Sequence, residues 1–157
     1  MTKENGEEHM IALRPITEDN FLDAFGLKLA AGQERFVSHP VRSLAQAYVY
    51  RSQCRPFGIY ADDAMVGYVM VIYDYDAPEY DIWHMMIDES KQGLGYGSAA
   101  LDRVLDFIRT KPFGSSDRVA LTCSKENAGA LKLYKSKGFS ETGAEDDGEI
   151  ELALTLE

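Results

Sequence analysis

The chain has 157 residues, 45% of them apolar and 27% charged, which suits one folded unit and excludes a disordered, collagen-like or disulfide-stapled chain. Lys and Arg number 16 against 26 Asp and Glu, a formal net charge of −10. Such a surface repels phosphate backbones and anionic lipid, so nucleic acid and membrane are excluded as leading partners, while a cation is attracted.

The first ten residues are polar and acidic, with neither the basic start nor the apolar run of a signal peptide. They read as a flexible tail (1–10) before a single domain over 11–157. Ile11 to Arg14 has the pattern of a short strand, stopped by Pro15. Thr17 to Asn20 supplies helix-start chemistry for a helix in which Leu22, Phe25 and Leu29 keep helical spacing. After Gly32 and a polar stretch, Ser43 is placed to cap a second helix whose Leu44, Ala47 and Tyr48 share a face. Phe57 to Tyr60, then Asp62-Asp63, then Met65 to Tyr73 form the pattern of a hairpin with a tight acidic turn. The next loop runs to Asp81 and carries four carboxylates, Asp74, Asp76, Glu79 and Asp81, with no cation.

Ile82 to Asp88 is a further apolar strand. After Gly95, Leu101, Val104, Leu105 and Ile108 at i, i+3, i+4 and i+7 predict a long helix. Val119 to Cys123 reads as a buried strand, and Ala128 to Lys137 as a short helix stopped by Gly138. Ser140 to Ala144 and Glu149 to Leu156 close the chain as two strands around Asp146-Asp147-Gly148. This order, strand, two helices, three strands, helix, strand, helix, two strands, belongs to a mixed α/β (α+β) domain. Cys54 and Cys123 make no C-x-x-C pair, and His9, His39 and His84 are scattered, so no disulfide framework or metal site is expected and a cytoplasmic setting is.

The most informative segment is Ile87-Asp-Glu-Ser-Lys-Gln92-Gly-Leu-Gly95-Tyr-Gly97-Ser98, between a predicted strand and the long helix. Glycines there let the backbone approach a ligand, and successive N–H groups at a helix start cradle an anion such as a pyrophosphate. A dinucleotide-binding doubly wound fold is disfavoured, because the turn comes late and follows an antiparallel-looking hairpin. A second segment, Asn127-Ala-Gly-Ala-Leu-Lys-Leu-Tyr134-Lys-Ser-Lys-Gly138-Phe139, follows the next strand.

Together these segments resemble the GCN5-related N-acetyltransferase (GNAT) superfamily. Gln92, Gly95 and Gly97 meet its phosphate-loop pattern; Asn127, Ala130, Leu133, Tyr134, Gly138 and Phe139 meet its later motif. Within it, Asp81 to Asp88, Phe36-Val37, Ser43 to Ala47 and Ile59 to Gly67 are most similar to bacterial spermine/spermidine acetyltransferases. Two departures from that subfamily are His84, where Arg is common, and Leu94, where Lys is common. Losing the lysine removes a side-chain charge but no backbone N–H.

The resemblance implies a central, mostly antiparallel sheet of about six to seven strands, with a splayed parallel pair and four helices. It implies acetyl-CoA as cosubstrate and no metal. Backbone groups of Met85, Met86 and Ile87 would pair with the pantetheine arm, and Gln92, Gly93, Leu94, Gly95, Tyr96, Gly97 and Ser98 would hold the phosphates. Asn127 and Tyr134 would complete the coenzyme site. Tyr134 is the expected general acid, since a phenol of pKa about 10 stays protonated at neutral pH and can donate to a departing thiolate. The base is open among Glu34, Asp81 and His84, because the position where some relatives carry Glu is Thr122. Glu34, Asp74, Asp76, Glu79 and Asp81 are the candidate acceptor contacts. The leading reading is acetyl transfer to a small primary amine, a polyamine such as spermidine or spermine, by a homodimeric enzyme. The alternatives are another amine (antibiotic, amino acid or protein N-terminus) or a non-catalytic acyl-CoA-binding module.

Overall fold

The computed structural model describes residues 2–4 and 7–157, and the described residues form nine strands and four α-helices. Seven strands make one sheet: β3 (Ile11–Pro15), β4 (Cys54–Ala61), β5 (Ala64–Asp74), β6 (Glu79–Ile87), β7 (Arg118–Ser124), β9 (Glu149–Thr155) and β8 (Ser140–Asp146), in that spatial order. Every neighbouring pair is antiparallel except β6 and β7. The long helix α3 (Tyr96–Arg109) is the crossover that joins this parallel pair.

The sheet is covered on both faces, and β5 shows why its apolar run is nearly continuous. Val69, Val71 and Tyr73 enter one core with Leu101, Val104 and Ile108 of α3, against which α4 (Ala128–Ser136) also packs. The alternate residues Tyr68, Met70 and Ile72 enter a second core with Ala24 of α1 (Phe21–Phe25) and Ala47 of α2 (Pro40–Val49). A strand buried on both faces loses the alternation that a one-sided strand would show.

Two sequence expectations, both about helix limits, are corrected below. Within the expected tail, β1 (Thr2–Glu4) and β2 (Glu7–His9) pair as a two-stranded antiparallel sheet. Its end is tied down by His9, whose Nδ1 lies 2.7 Å from Asp62 Oδ2, and by Met10 N–H, which donates to Asp62 Oδ1 at 3.0 Å. The first helix stops at Phe25, because Gly26 N–H closes it onto Leu22 and Asp23 carbonyls and the chain leaves before Leu29. The second helix starts at Pro40 rather than at Ser43. His39 Nδ1 accepts from Val41 N–H at 3.1 Å, and a proline in the first turn needs no helical acceptor. Ser43 is thereby carried one turn inside the helix and is fully buried.

Candidate active site

The site begins where two strands part. β6 and β7 share only two register pairs, Tyr80↔Val119 and Asp81↔Ala120. Beyond them β7 stays paired to β9 and β6 to β5, so the facing edges of residues 82–87 and 121–124 open a cleft. A bulge helps to turn β6. His84 has φ +58°, and the β5–β6 register shifts between Tyr68 and Met70. Gly67 lets β5 follow: a Cβ there would lie 2.4 Å from the Met86 carbonyl oxygen.

The glycine loop closes one end of the cleft. Asp88 turns the chain by accepting from Ser90 N–H at 3.1 Å, from Ser90 Oγ–H at 2.6 Å and from Lys28 N–H at 2.8 Å. Gln92 Nε2 then donates to the Ile87 carbonyl at 3.0 Å and to Gln33 Oε1 at 2.9 Å, tying the loop to the end of β6. Gly95, at φ +84°, starts α3 in the left-handed region, and no side chain caps the helix. Its first-turn N–H groups and its dipole thus face a cavity of about 310 Å³. Of the expected coenzyme residues, Met85, Met86, Ile87, Gln92, Gly93, Gly95, Tyr96, Gly97, Asn127 and Tyr134 line this cavity. Leu94 packs against the core, and Ser98 lies in the first turn of α3, outside that lining.

A second cavity, of about 550 Å³, opens on the other side of the same wall. Trp83, His84, Thr122, Cys123, Ser124 and Glu149 line it. Val37, Met85, Asn127, Ala130 and Tyr134 belong to both cavities. Tyr134 therefore stands at the passage between them. Burial pushes its phenol pKa up, with the nearby Cys123 thiol adding to the rise, so the hydroxyl keeps its proton at neutral pH. Asn127 caps α4, its Oδ1 accepting from Ala130 N–H at 3.3 Å. Lys135 and Lys137 are engaged in ion pairs with Glu141 and Asp102, at 2.9 Å each.

His84 is held by its ring. Nδ1 lies 2.7 Å from Ser43 Oγ, and burial, followed by the charge of Arg42, lowers its pKa from the ordinary value. Glu34 lies elsewhere, in a 3-10 turn (Gln33–Arg35) beside a third cavity that it shares with Lys28, Arg35 and Arg42.

The acidic loop is the β5–β6 hairpin tip, at the opposite end of β6 from the glycine loop. Asp74 Oδ1 accepts from Asp76 N–H at 2.9 Å and Ala77 N–H at 3.2 Å, which shapes the turn. The sequence showed no cation there, yet β7 supplies one. Arg118 Nε donates to Glu79 Oε2 at 2.6 Å, and its Nη2 to Glu151 Oε1 at 3.1 Å. Asp81 lies on the sheet face of Trp83 and Glu151. Burial raises its pKa to about 7, with Glu79, Asp74 and Glu151 adding to the rise and Arg118 opposing it.

The family model described as "Acetyltransferase (GNAT) family" matches residues 19–139. The chain belongs to this family. Over 145 residues this GNAT chain is 26% identical to the spermine/spermidine N(1)-acetyltransferase of Bacillus subtilis, covering 87% of the chain and 91% of that protein. It is 40% identical over 65 residues to the mycothiol acetyltransferase of Beutenbergia cavernae, a match to 41% of the chain but only 21% of that longer protein. In fold it superposes on the GNAT domain of S. lividans PAT with a TM-score of 0.77 at 16% identity, covering 97% of this chain and 93% of that one. A ribosomal L7/L12 α-N-protein acetyltransferase in complex with coenzyme A gives 0.74 at 19%, covering 93% and 94%.

Sequence reasoning missed Ser43, Tyr68, Gln33 and Glu149 as parts of this region. Glu149 was open to discovery, since it alternates with Ile150 and Leu152 and must face away from the core. Ser43 was not, because its role depends on where α2 starts.

Proposed function

We propose that this chain transfers the acetyl group of acetyl-CoA to a primary amine, with a polyamine such as spermidine or spermine as acceptor. The observation that carries the reading is Tyr134, the proton-bearing wall shared by the glycine-loop cavity and the second cavity. In this reading the N–H groups at the start of α3 hold the coenzyme pyrophosphate, and the backbone edge of Met85, Met86 and Ile87 pairs with the pantetheine arm. The thioester then lies beside Tyr134, and the amine arrives through the second cavity. The neutral amine attacks the carbonyl directly, a β6 N–H steadies the oxyanion, and Tyr134 gives its proton to the departing sulfur.

Acidic groups on the acceptor side support a cationic substrate. Glu149 lines the second cavity, and Asp81 and Glu151 continue the same sheet face. The full-length likeness to a spermine/spermidine acetyltransferase points the same way. The proposal includes a cytoplasmic homodimer; light scattering at micromolar concentration tests the dimer. The chemistry is tested by offering acetyl-CoA with a panel of amines and following the free thiol. Spermidine and spermine are expected to be acetylated faster than amino acids, aminoglycosides or peptide N-termini. Preference for a peptide would overturn the polyamine reading, and binding of acetyl-CoA with no amine acetylated would leave a non-catalytic module.

A further inference from the structure

His84 is unusual among the residues at the passage. It occupies a strained bulge position, φ +58°, in the middle of the strand that forms the cleft, and its ring lines the acceptor-side cavity. Its Nδ1 is engaged with Ser43 Oγ at 2.7 Å, and no other hydrogen bond to the ring is found among the described residues. Behind it lies a closed polar cluster. Ser43 Oγ is 2.8 Å from Tyr68 Oη and 3.9 Å from Met70 Sδ, and Ser43, Tyr68 and Met70 are all 0% exposed.

Three proton arrangements are possible in this cluster, and they differ in which buried groups are paired. If Ser43 donates to Tyr68 Oη, the Tyr68 hydroxyl proton has no acceptor among the described residues. That leaves a buried O–H unsatisfied, which costs about 1–3 kcal/mol. If Ser43 donates to His84 Nδ1 and Tyr68 donates to Ser43 Oγ, every donor is satisfied, and only the Met70 thioether, a weak acceptor, receives nothing. In the third arrangement Tyr68 O–H and His84 Nδ1–H both donate to Ser43 Oγ, whose own proton goes to the sulfur. Every donor then has an acceptor, and a hydroxyl oxygen accepts two bonds within its capacity. Burial raises the Tyr68 phenol to about 12, which keeps it a donor at all working pH values. Two arrangements thus pair every donor, and the one that also uses the Ser43 Oγ–H to Met70 Sδ contact places the proton on His84 Nδ1.

We propose that Ser43 and Tyr68 are positioning residues that hold the proton of His84 on Nδ1, leaving Nε2 as the base that receives the acceptor amine's proton. The proposal rests on the acetyltransferase reading above. The amine enters the step neutral, having released one proton to solvent. As its nitrogen bonds the carbonyl carbon, a second proton passes to His84 Nε2. The C–S bond breaks with its electron pair going to sulfur, which takes the Tyr134 proton. The imidazolium then returns its proton to the Tyr134 phenolate through solvent in the shared passage, and both groups are reset.

A neutral imidazole is required for this, and the groups around the ring are mostly uncharged. Arg42 of α2 is cationic, Tyr68 of β5, Cys123 of β7 and Tyr134 of α4 are neutral, and Glu149 of β9 is the anion on the same cavity. Burial and Arg42 hold the ring pKa below its ordinary 6.5, so the base is free at physiological pH.

Nitrogen-15 NMR of the His84 ring at pH 8 reads the tautomer directly, without substrate. The proton is expected on Nδ1 in the wild type, and Ser43→Ala should move it largely to Nε2 with far-ultraviolet dichroism unchanged. In parallel, His84→Gln should lower turnover by about 100-fold or more and remove the acidic limb of the kcat/KM profile, with acetyl-CoA affinity held within about threefold. A proton on Nε2 in the wild type, or His84→Gln turning over within about threefold of wild type with the same acidic limb, overturns the proposal. Wild-type protein that acetylates no amine overturns the acetyltransferase reading itself, and the base role with it.

Discussion

The acid role proposed for Tyr134 draws on position and burial together. The side chain is half-buried, burial and Cys123 raise its pKa, and the Phe139 ring meets it edge-on at 5.9 Å. Tyr134→Phe keeps the ring and removes the proton. Turnover is expected to fall about 100-fold or more while acetyl-CoA affinity, measured by calorimetry, stays within about threefold. Unchanged turnover would remove Tyr134 from the acid role. Asp81 gives a residue-scale prediction of another kind, on stability. Its folded pKa of about 7 lies above the ordinary 3.8, so the folded protein retains a proton that the unfolded chain releases. The stability from this group is complete below about pH 4 and is lost as pH rises through 7. Asp81→Asn is neutral at every pH, so it should raise unfolding free energy by ~2 kcal/mol at pH 8. Urea titrations should show that gain shrinking to nothing near pH 4; a constant gain would show that the effect is not ionisation.

At the scale of elements, what the sequence made legible tracks the length of the repeating pattern. α3 was readable because four core residues recur at helical spacing, and the glycine loop because its left-handed turns at Gly93 and Gly95 require glycines at fixed places. α1 was overextended because a shared face does not reveal that Gly26 ends the helix. The bulge at His84 left no signature at all: the residue with positive φ is not glycine, and the strain is imposed by neighbours far along the chain. Ser43 was misread for a related reason, since one residue type serves both as a cap and as a buried donor. Gly67, by contrast, is a strand glycine whose purpose only the pairing explains. Gly67→Ala would drive a methyl into the Met86 carbonyl and separate β5 from β6 at the bulge. A loss of about 3 kcal/mol or more in thermal or urea unfolding is expected, with acetyl-CoA binding weakened in whatever protein remains folded. A neutral substitution would mean that the strands adjust there without cost.

For the whole molecule, the net charge of −10 is less a field than a distribution of separate groups. Asp62 is engaged with His9, Glu79 and Glu151 share Arg118, and Glu141 and Asp102 each hold a lysine. Paired carboxylates of this kind attract a distant cation weakly, because their partner cancels much of the field beyond about one Debye length. If the second cavity admits the amine, charge placed there therefore matters more than the total. Glu149 and Glu151 lie on one face of β9, opposite Ser124 and Thr122 of β7, and Glu149 lines the cavity that ends at Tyr134. Asp74 and Asp76 are spent on the hairpin tip at the far end of β6. If a polyamine is the acceptor, Glu149→Gln with Glu151→Gln should raise its KM about 10-fold at low salt and leave kcat nearly unchanged. The difference should narrow as salt is raised, since screening already weakens the wild-type attraction. Asp74→Asn with Asp76→Asn removes the same charge from the whole and should leave KM within about twofold. Equal effects of the two double variants would return the attraction to the overall charge, and no effect of either would rule out electrostatic capture of the acceptor.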